Sequence, residues 1–376
     1  MTPETLAVLR PADEAELAAT IRDAPAPLAI RGGGTRPVGR PLPGALLETG
    51  ALSGITLYEP GALTLVAKAG TPLAKVEAAL AAENQRLPFE PMDHRGLLGT
   101  KGEPTLGGMV AANASGPRRV QAGACRDSLI GVRFVDGTGT VVKNGGRVMK
   151  NVTGYDLVKL MAGSWGTLGV LSEVSFKLLP APESAATILW QGLDSASAVR
   201  LMAEALRTPW EVNAAAHLPD QRTLLRVEGF AHSVAYRADE LAKALAPYGR
   251  SVTLGRDETT ALWREVRDVA PFHAQDGDVW RLSVKPTEAA ALAARAGGEA
   301  LYDWGGGLVW LRVAEGTDLR ARIGAFAGHA TLIRAGIETR RLIAPFQPEA
   351  PAVAALSRGL RARFDPRGIL NPGLME

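Results

Sequence analysis

Cysteine is almost missing from this chain. Cys125 is the only one in 376 residues, which excludes an intramolecular disulfide and any multi-cysteine metal or iron–sulfur site. Aromatic residues make up only 5%, and there is no long basic run. The interleaved basic and aromatic surface of a nucleic-acid binder therefore has no support. No apolar run approaches the ~18 residues that a membrane span needs. Met1-Thr2-Pro3-Glu4 shows no basic stretch followed by an apolar one, so a secretory leader is not expected. Histidine is scarce too. His94, His217, His232, His273 and His329 stand singly, without the spacing of a zinc-binding helix, and no metal site is expected.

What is present fits a globular protein with two cores. The chain is 46% apolar and 22% charged, with a net charge of only +3. Arginine dominates the positive charge, since nine of the 42 basic residues are lysine. Glycine, at 42 residues, is not evenly spread. Arg31-Gly32-Gly33-Gly34-Thr35 follows the apolar run Pro27-Leu28-Ala29-Ile30. Such a turn frees the backbone to aim several N–H groups at an anion. A Rossmann or Walker loop would have to open a helix here, but Pro37, Pro41 and Pro43 forbid one. An anionic ligand would be held by loop amides and not by a helix end.

Organisation changes along the chain. Asp13-Glu14-Ala15-Glu16 reads as a capping box before a helix. Leu63–Ala67 reads as a strand, Thr71-Pro72 opens a helix, and residues 132–142 form a hairpin about Asp136-Gly137-Thr138-Gly139. A long strand over 168–178 ends at Pro180-Ala181-Pro182, the expected first boundary. Beyond it, residues 187–255 and 278–334 each follow the order β-α-β-β-α-β, with a helix over 257–268 between them. Two ferredoxin-like units predict one extended antiparallel sheet with helices on one face. The chain thus divides into 1–180, 181–340 and a C-terminal segment 341–376.

Three more glycine-rich stretches join the first loop. They are Thr105-Leu106-Gly107-Gly108 running on to Asn113 and Gly116, Lys150-Asn151-Val152-Thr153-Gly154-Tyr155, and Gly163-Ser164-Trp165-Gly166-Thr167-Leu168-Gly169-Val170. Each alone would pass for tight turns in a β-rich domain. Together the segments RGGGTRPVG, TLGGMVAANASG, RDSLIGVRFVDGTGTVV, KNVTGYDLVKLMAGSWGTLGVLSEVSFKLLP and FDPRGILNPG resemble the vanillyl-alcohol oxidase/p-cresol methylhydroxylase (PCMH) flavoprotein superfamily. VMKNVTGYDL and AGSWGTLGVLSEVS narrow the likeness to the FAD-binding E subunits of bacterial glycolate oxidases (dehydrogenases).

The resemblance implies an α+β, two-domain PCMH-type FAD-binding fold with an antiparallel cap domain. It places the FAD pyrophosphate on Arg31, Gly32, Gly33, Gly34 and Thr35 and on Thr105, Leu106, Gly107 and Gly108, with Asn113 and Gly116 in the same stretch. It places the adenine side at Gly163, Gly166, Gly169 and Val170, the flavin side near Pro91 and Met92, and Asn371 reaching back from the C-terminus. Covalent relatives often carry His where this chain has Thr35, so the resemblance implies dissociable FAD. It also implies a complex with a larger FAD-binding subunit and an iron–sulfur subunit, oxidising glycolate to glyoxylate in the cytoplasm, with attachment to the inner membrane through partners left open. The stretch His-x-Gly-Asp-Gly-Asn-x-His of self-sufficient relatives is missing; only His329, in Gly328-His329-Ala330-Thr331, stands in its place. Three readings stay open: a redox subunit of a complex, a free-standing 2-hydroxy acid dehydrogenase, and an FAD-binding scaffold.

Oxidising a 2-hydroxy acid needs a base for the hydroxyl proton and a cation for the carboxylate. On the strand 278–284, alternation sets Arg281 and Ser283 opposite Trp280 and Leu282. Arg281 is the candidate carboxylate contact and His273 the candidate base. A solvated sheet face carrying Arg281 and Lys285 accounts for the same alternation.

Overall fold

A computed structural model describes residues 8–146 and 154–376; Lys150, Asn151, Val152 and Thr153 of the third motif lie outside the described residues. Asp13 caps the first helix, Glu14–Arg22, by accepting the Glu16 N–H. Strands β1 (Val8–Leu9), β2 (Leu28–Arg31) and β3 (Ala45–Glu48) form a small parallel sheet in the order β1-β3-β2. Five further strands make an antiparallel sheet once the short pair β6 (Gln85–Arg86) and β10 (Leu179–Pro180) is set aside. They are β4 (Ile55–Glu59), β5 (Thr64–Lys68), β7 (Leu129–Val135), β8 (Val141–Gly145) and β9 (Val170–Lys177), in the order β4-β5-β9-β7-β8. Val174 and Phe176 of β9 are fully buried against Val76, Leu80 and Met109. The C-terminal segment returns here, with Leu370 bridging Leu28 in parallel.

The remaining strands are β11 (Ser184–Gln191), β12 (Ala214–His217), β13 (Arg222–Gly229), β14 (Ser251–Leu254), β15 (Asp278–Val284), β16 (Glu299–Asp303), β17 (Leu308–Val313) and β18 (Gly328–Arg334). They form a single eight-stranded sheet in the order β14-β11-β13-β12-β16-β17-β15-β18. Each half has the ferredoxin-like order, and the halves meet edge to edge where His217 pairs with Tyr302. The result is the expected α+β architecture.

The expectation of helices on one face needs correcting. Residues of helices Ser195–Ala205, Ala231–Ala244, Pro286–Ala296 and Leu319–Ile323 share a core with Trp190, Leu225, Trp280 and Leu311. Helix Arg256–Arg267 packs on the opposite face, with Leu262, Trp263 and Val266 among Ala214, Ala216 and Leu224. The Trp263 indole donates to Thr187 Oγ1 at 2.9 Å. Met92, Leu97 and Val38, from the N-terminal part of the chain, belong to that same core. Amphipathicity specifies which side of a helix is buried and not which face of a sheet receives it.

An ion network crosses between the two halves of the chain. Arg226 on β13 donates to both Glu90 carboxylate oxygens at 3.0 and 2.9 Å. Glu228, two residues on, accepts from Arg118 at 2.9 and 2.7 Å and from Arg86 at 2.8 Å. Burial alone would push the Glu228 carboxyl up, but Arg226, Arg118 and Arg86 outweigh it and hold it well below the ordinary carboxylate range. Glu90 is lowered in the same balance, by Arg226 and Arg118 against burial. Such carboxylates add stability above the ordinary Glu pKa of ~4.3 and lose it as pH falls below that value. Glu228→Gln should cost ~3–5 kcal/mol at neutral pH. In urea unfolding followed from neutral pH to roughly pH 3, the variant should also lose less further stability than the wild type; equal slopes would show that the Glu228 charge does not hold the halves together.

Candidate functional site

The first glycine loop leaves β2 and stops being hydrogen-bonded. Among the described residues, none of the N–H groups of Gly32, Gly33, Gly34 and Thr35 donates to the protein. Four free amides in succession are a ready anion cradle. The loop is pressed on 102–105: a Cβ on Gly33 would lie 1.5 Å from the Glu103 carbonyl oxygen. The second loop differs. It begins a short helix, Leu106–Ala111, capped by Thr105. Its amides are occupied, Leu106 N–H by Thr71, Gly107 N–H by Ala69 and Gly108 N–H by Thr105 Oγ1. This helix forms a wall and the first loop supplies the donors.

The two loops line a cavity of about 420 Å³, closed by Ser164, Trp165 and Gly166, by Gly169 and Val170 at the start of β9, and by Asn371. Asn371 fastens the walls. Its Oδ1 accepts the Ile30 N–H at 2.7 Å, and its Nδ2 donates to the Trp165 carbonyl at 2.8 Å. It holds a positive φ of 46°, and Gly166 has room only for hydrogen, since a Cβ would lie 2.9 Å from Asn371 Nδ2. Arg31, Arg36, Arg40 and Arg340 line this cavity, Arg31 also paired with Glu48, and among the described residues no carboxylate lines it. The Ser164 hydroxyl is buried in it without a partner.

A second cavity, about 490 Å³, shares Trp165 with the first and lies under the eight-stranded sheet. Met92, His94, Asn113, Gly163, Arg119, Trp304, Arg281, His329 and Phe346 line it. Arg36 Nε donates to His94 Nδ1 at 2.9 Å. Burial, and then the Arg36 charge, hold the His94 pKa well below its ordinary value, so the ring is neutral with its proton on Nε2. Arg281 faces this cavity instead of open water, and burial lowers its pKa to about 10, with the charge of Arg119 adding to the effect. Lys285, next in its alternating set, is exposed and near Glu288 at 3.7 Å.

Most of the sequence-derived residues are brought together. Arg31, Gly32, Gly33, Gly34, Thr35, Thr105, Gly107, Gly108, Gly166, Gly169, Val170 and Asn371 line the first cavity, and Met92, Asn113, Gly163 and Arg281 the second. Pro91, Leu106 and Gly116 line neither. Leu106 is fully buried in the core of the five-stranded sheet, and the Gly116 carbonyl accepts the Trp304 indole N–H at 3.0 Å. His273 is not brought to Arg281. Its Nε2 meets the Asp268 carbonyl at 2.7 Å, and its ring packs so closely on Gly96 that a Cβ there would clash. His329 takes that place, because β18 pairs with β15 and sets His329 opposite Ser283 and Thr331 opposite Arg281. Among the described residues no group of His, Cys, Asp and Glu could hold a metal.

A family model described as an FAD binding domain matches residues 5–145, the stretch that carries both glycine loops, and sets the class of the protein. Glycolate oxidase subunit GlcE of Escherichia coli strain K12 is 36% identical over 352 residues, covering 93% of this chain and 92% of that protein. The chain belongs to the GlcE family of PCMH-type FAD-binding proteins. Glycolate oxidase subunit GlcD of Bacillus subtilis strain 168 is 36% identical over 135 residues, covering 34% of this chain and 27% of its own. An alkyldihydroxyacetonephosphate synthase structure superposes with a TM-score of 0.70 at 15% identity, over 97% of this chain and 76% of the other, a likeness of fold.

The residues fit FAD: free loop amides, with Arg36, Arg40 and Arg340 unpaired with any carboxylate among the described residues, suit a pyrophosphate, and the orphaned Ser164 hydroxyl still needs a partner. Gly33→Ala should therefore purify folded but without yellow colour, because the loop must leave Glu103. Gly61→Ala, where a Cβ meets nothing, should keep full visible flavin absorbance. Equal flavin content in the two variants would remove the loop from the site.

Proposed function

We propose that this chain is the FAD-carrying subunit of a glycolate-oxidising complex, with residues 1–180 and 341–376 holding the cofactor and 181–340 covering it. FAD supplies a two-electron acceptor for the substrate carbon. The observation that carries the reading is the pairing of cavities: an acid-free cradle of free amides shares Trp165 with a cavity lined by Arg281 and His329. Arg281 binds the substrate carboxylate through its fork. His329 takes the hydroxyl proton. Partial burial, with the charges of Arg281 and Arg119, lowers the His329 pKa, so at neutral pH its imidazole is free to accept a proton.

Dissociable FAD is supported by three observations. Thr35 offers no imidazole at the loop. Cys125 is fully buried, and burial pushes its thiol far up, away from the reactive thiolate. His94 is fixed by Arg36. The likeness to two differently named glycolate oxidase subunits supports assembly with other subunits; in the proposed complex these are a larger FAD-binding subunit and an iron–sulfur subunit that takes the electrons onward. The helix Pro351–Phe364 supports an assembled state as well: it fully buries no side chain and exposes Val353, Leu356 and Leu360 along one stripe. No helix among the described residues is long and apolar enough to cross a membrane, and we place the chain in the cytoplasm, held near the inner membrane only through partners.

Mixed anaerobically with glycolate, the FAD-loaded chain should lose its visible flavin absorbance. Arg281→Gln should raise the half-saturating glycolate concentration ~10-fold or more, the loss expected for one charge-assisted hydrogen-bonded pair. The acidic limb of the rate should lie below pH ~6.5, and Arg119→Gln should move it upward, because one of the cations that disfavour the imidazolium is gone. If bleaching begins only when the other subunits are added, oxidation resides in a partner and this chain relays electrons.

A further inference from the structure

Arg119 and Arg281 reach the second cavity from different parts of the chain, and neither meets a carboxylate within ion-pair distance among the described residues. Arg119 begins the short helix Arg119–Ala122 and Arg281 stands on β15. Their guanidinium carbons lie 4.5 and 5.1 Å from the centroid of one ring, that of Trp304. The two cations are thus no more than about 10 Å apart, each over the same π-system. Trp304 is itself fixed. Its indole donates to the Gly116 carbonyl at 3.0 Å and its backbone N–H to Asp303 at 2.7 Å.

The acids nearby compensate the pair only in part: Asp303 acts on Arg281 and Asp127 on Arg119 through space, neither within ion-pair distance among the described residues. Asp303 is fully buried and turned to that backbone N–H. Glu349, on the cavity wall, accepts from Ser357 at 2.9 Å. A ligand with one carboxylate neutralises one guanidinium and leaves the other partly buried and alone. A ligand with two neutralises both, and pairs of this kind gain most where water is excluded.

We propose that Arg119 and Arg281, set about Trp304, form a two-cation seat that takes small dicarboxylates in preference to monocarboxylates. It rests on the reading of this cavity as the ligand side of the flavin site. The seat does not serve the oxidation of glycolate alone, which has a single carboxylate; it sets which acids compete for the cavity or enter it.

The test is binding of malonate and of propionate, equal in carbon number, to the FAD-loaded chain, read by calorimetry and by Trp fluorescence. Malonate should bind at least ~10-fold more tightly than propionate. Arg119→Gln should weaken malonate binding more than propionate binding and so erase that preference, and Arg281→Gln should weaken both. Arg119→Lys, which keeps the charge without the fork, should retain part of the preference and guards against a folding defect in the first variant. Equal affinities in the wild type, or a malonate preference that survives Arg119→Gln, would overturn the seat. Flavin content and glycolate bleaching are read on the same samples. Malonate selectivity in a chain that fails to bleach leaves the seat standing and removes the proposed oxidation, and the converse result does the reverse.

Discussion

The side chain of Asn371 is the constraint on which the glycine-lined cradle depends. It lies almost at the end of the chain, yet it is buried and joins Ile30, at the mouth of the first glycine loop, to Trp165, at the turn before β9. Ile30 still lies in β2, paired on its other edge with β3, while Trp165 lies in a turn, so no ladder of backbone hydrogen bonds joins the two segments. A single amide does so, with its carbonyl toward one wall and its NH₂ toward the other. The left-handed conformation of Asn371 and the absence of a side chain at Gly166 follow from this close approach. With the walls fixed, the N–H groups of residues 32–35 are left without protein partners, and the cavity stays free of acids.

A second constraint sets what faces that cradle. The eight-stranded sheet could shelter any surface of the N-terminal part of the chain, but the ion network fixes one orientation. Arg226 and Glu228 alternate with the apolar residues of β13 that pack under the helices, so they face that part of the chain and meet Glu90, Arg118 and Arg86. Buried ion pairs are a weak source of net stability, since desolvation offsets much of their attraction. Their geometric demand is nonetheless strict, because each charge left unpaired would be costly. The docking so imposed brings β15, and with it Arg281, over the second cavity.

Much of this was legible in the chain. The ferredoxin-like order came through because each unit shows local alternation and helical periodicity, and the glycine loops because turns and close approaches leave few alternatives to glycine. The residues that were missed depend on contacts between distant segments. Arg119 and Trp304 belong to no motif, and they acquire a role only when helix Arg119–Ala122 meets the turn after β16. His273 looked suitable because it lies eight residues before Arg281, whereas antiparallel pairing brings in His329 from 48 residues beyond it. The resemblance sets the pyrophosphate on Thr105, Leu106, Gly107 and Gly108 too, whereas the amides of Leu106, Gly107 and Gly108 are already bonded to Thr71, Ala69 and Thr105. A glycine pair signals close approach of backbone and does not say to what.

The central claim is that one FAD lies in the Asn371-fastened cradle without a covalent bond. The direct measurement is acid precipitation of the purified chain, followed by assay of FAD in supernatant and pellet and by reconstitution of the stripped protein. The expected result is a yellow protein that releases its FAD entirely to the supernatant, in equal molar amount to the chain, and takes it up again after renaturation. A colourless chain that takes up no FAD, or flavin that stays with the precipitated protein, would contradict it.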